Sequence, residues 1–185
     1  MSAPEGSRIK AVVLDVDGVL TDGSLYWGPA GEELKRISFL DVMGLSIGRR
    51  AGLRFALVSG EDGPLLDRLL ERLRISNVYR GCKDKGEALR DFAKRAGLDL
   101  AQICYMGDDV NDVPAMEIVG LPAAPAGAHS SAKMAARFIT SRGGGNGAVR
   151  ELIDALLTSG IPARKRAVPS DGRASVTRRK RAARA

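Results

Sequence analysis

A chain of 185 residues leaves room for one domain and little else. Hydrophobic residues make up 44% of it but aromatics only 4%, so the core has to come from Val, Leu, Ile and Ala. The net charge of +7 does not describe the body: 158–185 holds nine basic residues and one acid, while 1–157 carries 20 basic residues against 21 acidic ones, which excludes a basic nucleic-acid-binding face as the basis of the fold.

In chain order, Ile9 to Leu14 is a β-branched run ending at acidic residues and reads as a buried strand. Between Thr21 and Phe39 the helical period is lost. Leu25 to Trp27, a Gly-Pro-Ala-Gly turn at 28–31, and Leu34 to Phe39 predict a hairpin. Helical spacing then runs from about Val42 to Ala51, followed by a strand over Leu53 to Val58. Helices are expected over Gly63 to Arg74 and Lys85 to Ala96, a strand over Gln102 to Met106, and a helix over Asp112 to Ile118. Val119 to Ala123 and Arg137 to Ile139 are weaker strands, and a helix from about Gly147 to Leu157 closes the fold. Strands alternating with helices predict an α/β fold, with a parallel sheet covered by helices on both faces. The expected division is a domain over 1–157 and a basic tail over 158–185, whose lack of periodic apolar residues is that of a disordered segment.

Two cysteines, Cys82 and Cys104, are too few for a disulfide framework and read as reduced thiols of a cytoplasmic protein. No apolar run approaches the ~18 residues of a membrane span, and the N-terminus lacks a signal-peptide core.

In a parallel sheet, ligands bind at the carboxyl ends of the strands. The first expected strand runs into Asp15-Val16-Asp17-Gly18, the second into Ser59-Gly60 and the third into Gly107-Asp108-Asp109, while Lys85 opens a helix. Asp15 and Asp17 reach one opening only if the chain turns at once, which Gly18 permits. Three carboxylates at close range repel one another, and a divalent cation such as Mg²⁺ relieves that. Lys85 and the Ser59 hydroxyl supply charge and a donor for phosphoryl oxygens. A carboxylate able to accept a phosphoryl group completes the set. Each piece alone is as well explained by a turn or a helix cap; their order and their placement at strand exits are not.

These residues resemble the four motifs of the haloacid dehalogenase superfamily. LDVDGVLTDG is similar to its first motif, VSG to its second, Lys85 to its third and GDDVNDVPAM to its fourth, over about Ile9 to Leu157. The stretches DGVLTDGSLYWGPAGEELKRISFLDVMG, VYRGCKDKGEAL and GGGNGAVREL resemble, more narrowly, 3-deoxy-D-manno-octulosonate 8-phosphate phosphatases and their relatives acting on nine-carbon sialic-acid-type 9-phosphates.

The resemblance implies a Rossmann-like fold with a β-hairpin flap in place of a large cap domain. It also implies a cytoplasmic, Mg²⁺-dependent phosphatase of lipopolysaccharide biosynthesis acting on a sugar-acid phosphate, and a homotetramer whose subunits help enclose each other's sites. By it, Asp15 is the nucleophile and Asp17 the general acid and base, with Asp15, Asp17 (through its carbonyl) and Asp108 as metal ligands. Ser59 and Lys85 hold the phosphoryl group, and Asp109 and Asp112 orient the ligands and Lys85. Asp41, Glu61 and Arg72 are substrate contacts.

The departures fall in the substrate region. Octulosonate phosphatases usually carry Arg where this chain has Glu61, and Leu40, Ser46 and Leu69 stand at other family arginine positions. Glu61 with Arg72 is closer to the nine-carbon branch, and Arg68, Arg72 and Arg150 are the cations available to replace the missing charge. The alternatives are therefore a nine-carbon 9-phosphate phosphatase, a broader sugar phosphatase, or a phospho-receiver or regulatory domain. A receiver has no counterpart of Asp17. A phosphomutase with an inserted helical cap has no room between Gly18 and Ser59. Nucleic acid is expected only as a weak partner of the basic tail, and His129 is expected to be structural.

Overall fold

The computed structural model describes residues 9–158. The basic stretch, Thr158 apart, lies outside the described residues.

Six parallel strands form the main sheet: β1 (Ala11–Leu14), β4 (Arg54–Val58), β5 (Val78–Tyr79), β6 (Ile103–Met106), β7 (Leu121–Ala124) and β8 (Phe138–Ile139), in the order β5-β4-β1-β6-β7-β8. The helices are α1 (Phe39–Arg50), α2 (Pro64–Leu73), α3 (Lys85–Ala96), α4 (Val113–Glu117), α5 (Ser130–Ala135) and α6 (Ala148–Leu157). β2 (Tyr26–Trp27) and β3 (Glu33–Leu34) make a separate antiparallel hairpin.

Side chains alternate across a strand, so each central strand feeds two cores. Val12 and Leu14 point to one face, where Leu45 of α1, Leu69 and Leu73 of α2, and Leu152 and Ile153 of α6 cover them. Ala11 and Val13 point to the other, beneath Leu89 and Phe92 of α3, Met116 of α4 and Ala132 of α5. The sheet is therefore buried on both faces, which is why its strands read as continuous apolar runs. Both cysteines are free, Cys104 fully buried and Cys82 half-buried.

The order of the strands positions the site. β1 is flanked by β4 and β6, and Leu14 is level with Leu57 on one side and Met106 on the other. The residues after these three strands emerge side by side at one edge of the sheet. Two elements went unanticipated by sequence reading: the two-residue β5 and the six-residue α5. Neither is long enough to show a period. The hairpin is present as expected, with no helical insertion beside it, and Gly28 N donates to Glu32 O at 2.8 Å to close its turn.

Candidate active site

β1 ends in Asp15, and the chain then coils tightly over 16–21, with Leu20 N and Thr21 N both donating to Val16 O. Gly18 makes this turn possible. It adopts φ +82°, and a Cβ there would lie 2.0 Å from the Asp108 carboxylate. Only glycine lets the loop approach the end of β6 so closely. A second close approach backs the loop, since a Cβ on Gly144 would lie 1.8 Å from Gly18 O. The Gly-rich segment before α6 thus supports the turn from behind.

Asp15 is 6% exposed and Lys85 2%. Lys85 Nζ lies 3.0 Å from Asp15 Oδ1 and 2.7 Å from Asp112 Oδ1. Lys85 stands at the first position of α3 because Asp84 caps that helix, its side chain accepting from Glu87 N at 2.9 Å.

Asp112 is 0% exposed and fully engaged. Its Oδ1 accepts from Lys85 Nζ and, at 2.6 Å, from the Tyr105 hydroxyl. Its Oδ2 accepts from the amides of Asp108 (3.0 Å) and Asp109 (3.1 Å). Asp15, Asp108 and Asp112 offer oxygens within 4.8 Å of one another, as a cation site requires. Asp112 has already committed its oxygens to four donors, which leaves Asp15 and Asp108 as the carboxylates with capacity to spare.

The electrostatics agree. Burial, and then the charge of Asp112, push the Asp15 carboxyl up to about 8 against the opposing pull of Lys85. Burial and Asp112 likewise push Asp108 up to about 6. For Lys85, burial favours the neutral amine, but Asp15 and Asp112 outweigh it and hold its value above the ordinary one. One buried cation does not satisfy the carboxylates around it, and the all-oxygen donor set suits a hard divalent ion.

Ser59, buried at the end of β4, is fixed by its backbone: N donates to Tyr79 O at 2.9 Å and O accepts from Cys82 N at 2.8 Å. Its hydroxyl accepts from Glu61 N at 3.1 Å. Asp17 is half-exposed on the other side of the opening, its Oδ1 accepting from the Thr21 hydroxyl at 3.1 Å. Lys35, from the segment after β3, reaches across with Nζ 2.9 Å from both Asp17 oxygens and 2.5 Å from Glu61 Oε2.

Beside these groups lies a cavity of about 400 Å³. Asp17, Thr21 and Ser59 form one end, Leu34, Lys35 and Ile37 the flap wall, and Glu61, Arg68, Leu69 and Arg72 the α2 wall.

The structure brings together Asp15, Lys85, Asp108 and Asp112, and places Asp17 and Ser59 at one cavity that follows the same strand ends. The remaining candidates fall elsewhere. Glu61 and Arg72 line the cavity, and the Arg72 guanidinium lies 5.0 Å above the Phe39 ring. Asp41 is buried away from the opening, accepting from Gly147 N at 3.0 Å and Arg150 N at 2.9 Å, and so caps α6 across the helix interface. Asp109 does not reach Lys85. Its carboxylate accepts from Val110 N at 2.7 Å and caps the short turn before α4. Arg150 is bound to Asp154 at 2.8 Å, outside the cavity, while Arg68 lines it. Sequence reading missed Thr21, Lys35 and Tyr105.

A family model of haloacid dehalogenase-like hydrolases matches residues 72–152. The 3-deoxy-D-manno-octulosonate 8-phosphate phosphatase KdsC of Escherichia coli K12 is 37% identical over 153 residues, 83% of this chain and 81% of its own length. The chain belongs to the 3-deoxy-D-manno-octulosonate 8-phosphate phosphatase family of haloacid dehalogenase-like hydrolases. It is a phosphoric monoester hydrolase.

Solved structures of this phosphatase family superpose closely. The Moraxella catarrhalis phosphatase, crystallised with magnesium, phosphate and KDO, gives a TM-score of 0.80 at 32% identity, covering 84% of this chain and 89% of its own. The cobalt-bound Haemophilus influenzae phosphatase gives 0.80 at 37%, covering 84% and 91%. The Rossmann-like fold with a flap is thus that of the family.

Proposed function

We propose that the chain is a Mg²⁺-dependent phosphatase of a 3-deoxy-2-keto sugar-acid phosphate of the 3-deoxy-D-manno-octulosonate 8-phosphate type, acting through a phosphorylated Asp15. The observation that carries this reading is the buried Asp15–Lys85–Asp112 array at the strand ends, next in the chain to a cavity of about 400 Å³ that Val16, Asp17 and Ser59 line. The relatives' names support the substrate class.

Asp15 and Asp108, with the Asp17 carbonyl, would hold the divalent cation, whose charge when bound neutralises phosphoryl oxygens and favours the ionised form of Asp15. Lys85 and the Ser59 hydroxyl hold the phosphoryl oxygens. An Asp15 oxygen attacks phosphorus, the bond from phosphorus to the sugar oxygen breaks, and the Asp17 carboxyl gives its proton to that departing oxygen. Asp17, now a carboxylate, takes a proton from the water that attacks phosphorus next; the Asp15–phosphorus bond breaks and inorganic phosphate leaves. Asp109 and Asp112 act indirectly, Asp112 by holding Lys85 and the backbone of Asp108.

Glu61, in the cavity where octulosonate phosphatases usually carry Arg, favours a second reading, a nine-carbon sialic-acid-type 9-phosphate as substrate. Glu61 and Arg72 are the residues proposed to meet it. Assembly as a homotetramer fits the exposed apolar side chains of Trp27 (77% exposed), Tyr26 and Leu34 on the hairpin and of Phe39 and Met43 on α1. A cytoplasmic location is proposed on the resemblance alone; among the described residues no helix is long and apolar enough to cross a membrane.

The test is phosphate release with Mg²⁺ from an octulosonate 8-phosphate, a nonulosonate 9-phosphate and hexose phosphates, with Asp15→Asn as control. A marked preference for one sugar acid, lost in the variant, is expected. Equal turnover of all would discard the substrate class, and turnover surviving in the variant would discard Asp15.

A further inference from the structure

We infer that Lys35 is a positioning residue for proton transfer: the ammonium carried by the flap holds the Asp17 carboxyl in line with the departing oxygen, with Glu61 as its second anchor. The inference rests on the role proposed for Asp17 and adds a residue outside the four superfamily motifs.

Lys35 departs from what its position predicts. It directly follows a two-stranded surface hairpin, between the exposed Leu34 and Arg36, yet its own side chain is only 15% exposed and lines the cavity. Arg36, the next residue, behaves as a surface cation should: 55% exposed and 3.8 Å from Asp22. The Lys35 ammonium meets two carboxylates from two different loops, Asp17 after β1 and Glu61 after β4.

Asp17 needs such a partner. Apart from Lys35, the side-chain contact that orients its carboxylate is the Thr21 hydroxyl at 3.1 Å, on Oδ1. One neutral hydrogen bond to a half-exposed carboxylate leaves rotation about the terminal torsion nearly free. Lys35, 2.9 Å from both oxygens, removes that freedom with a charge-assisted contact. The backbone is held as well, because Ile37, two residues on, bridges Thr21 in the same turn that carries Asp17. Flap, Thr21 and Asp17 therefore form one unit, and a flap seated over a bound sugar keeps the acid aimed. Lys35 keeps its proton throughout; the proton that moves is that of Asp17.

The test separates positioning of an acid from binding of substrate. It uses the Mg²⁺-loaded enzyme and kcat/KM, which reports the first bond cleavage. p-Nitrophenyl phosphate has a leaving group that departs without a proton, whereas a hexose phosphate, which carries no carboxylate, needs one. Lys35→Met is expected to lower kcat/KM about tenfold or more for the hexose phosphate, within the range of general-acid effects, and less than about threefold for the aryl ester. Lys35→Arg is expected to restore most of the loss. Equal losses on both esters, or none on either, would overturn the inference. Asp17→Asn, run alongside, is expected to show the same leaving-group dependence more strongly. Were it to show none, the role of Asp17 itself would fall, a failure distinct from that of Lys35 alone.

Discussion

The strand-end side and the flap side of the site are built by opposite rules. At the strand ends, Lys85, Asp112 and Tyr105 are sealed from solvent, and the four contacts on Asp112 are 2.6–3.1 Å long. On the flap side, Glu61, Arg72, Phe39 and Trp27 are exposed, and their contacts are a salt bridge, a ring stack, the Trp27 indole N–H donating to Glu33, and the cavity itself. The difference teaches where each task resides. The proposed phosphoryl chemistry tolerates no slack in position, and the side chains assigned to it are buried and paired with one another. The proposed selection of the sugar would fall to exposed side chains, whose replacement costs a fold little. Lys35 is the link between them, a half-buried residue beside an exposed hairpin that contacts Asp17 and Glu61.

The largest effect expected from breaking this contrast is on the buried side. Asp112→Ala strands Lys85 beside Asp15 and frees two amides of the loop after β6, so unfolding is expected to become easier by about 3–5 kcal/mol. Chemical denaturation measures this, and a loss under ~1 kcal/mol would show the array to be less tightly coupled than its geometry implies.

A middle effect concerns pH and metal. Asp15 and Asp108, raised to about 8 and about 6 from 3.8, keep protons in the folded state that the unfolded chain has lost. Without metal, stability therefore falls as pH rises from about 4 through 8, because the folded state binds more protons across that window. A cation competes for the same oxygens, so the rise in Tm on adding Mg²⁺ is expected to be larger at pH 8 than at pH 6. Thermal unfolding at the two pH values checks the sign, and a larger rise at pH 6 would contradict it.

The smallest effect belongs to the flap side. Glu61→Gln is expected to change stability by less than about 0.5 kcal/mol, as for exposed substitutions generally, while altering the order of preference among sugar phosphates.

How far the sequence could be read follows the same division. β1, β4 and β6 were legible because buried parallel strands are rich in apolar residues, and each is followed within two residues by a reactive one. The hairpin was legible from its Gly-Pro-Ala-Gly turn. β5 was not, since Val78 and Tyr79 become a strand only by lying against Leu57 and Val58. Lys35 and Tyr105 were hidden for a related reason. Lys35 meets a partner 18 residues away, and Tyr105 looked like one more apolar residue in its strand until its hydroxyl met Asp112. Asp41 shows the converse: it stands in a stretch that resembles the family, yet the fold spends its carboxylate on the start of a helix more than a hundred residues later.

The most direct test of the central claim, that Asp15 accepts the phosphoryl group, is mass spectrometry of Asp17→Asn enzyme quenched in acid during turnover of the preferred sugar phosphate. The account predicts one added phosphoryl group on the peptide that contains Asp15, absent when Asp15 is also replaced by Asn. Phosphate release with no such adduct, or an adduct on another residue, would contradict it.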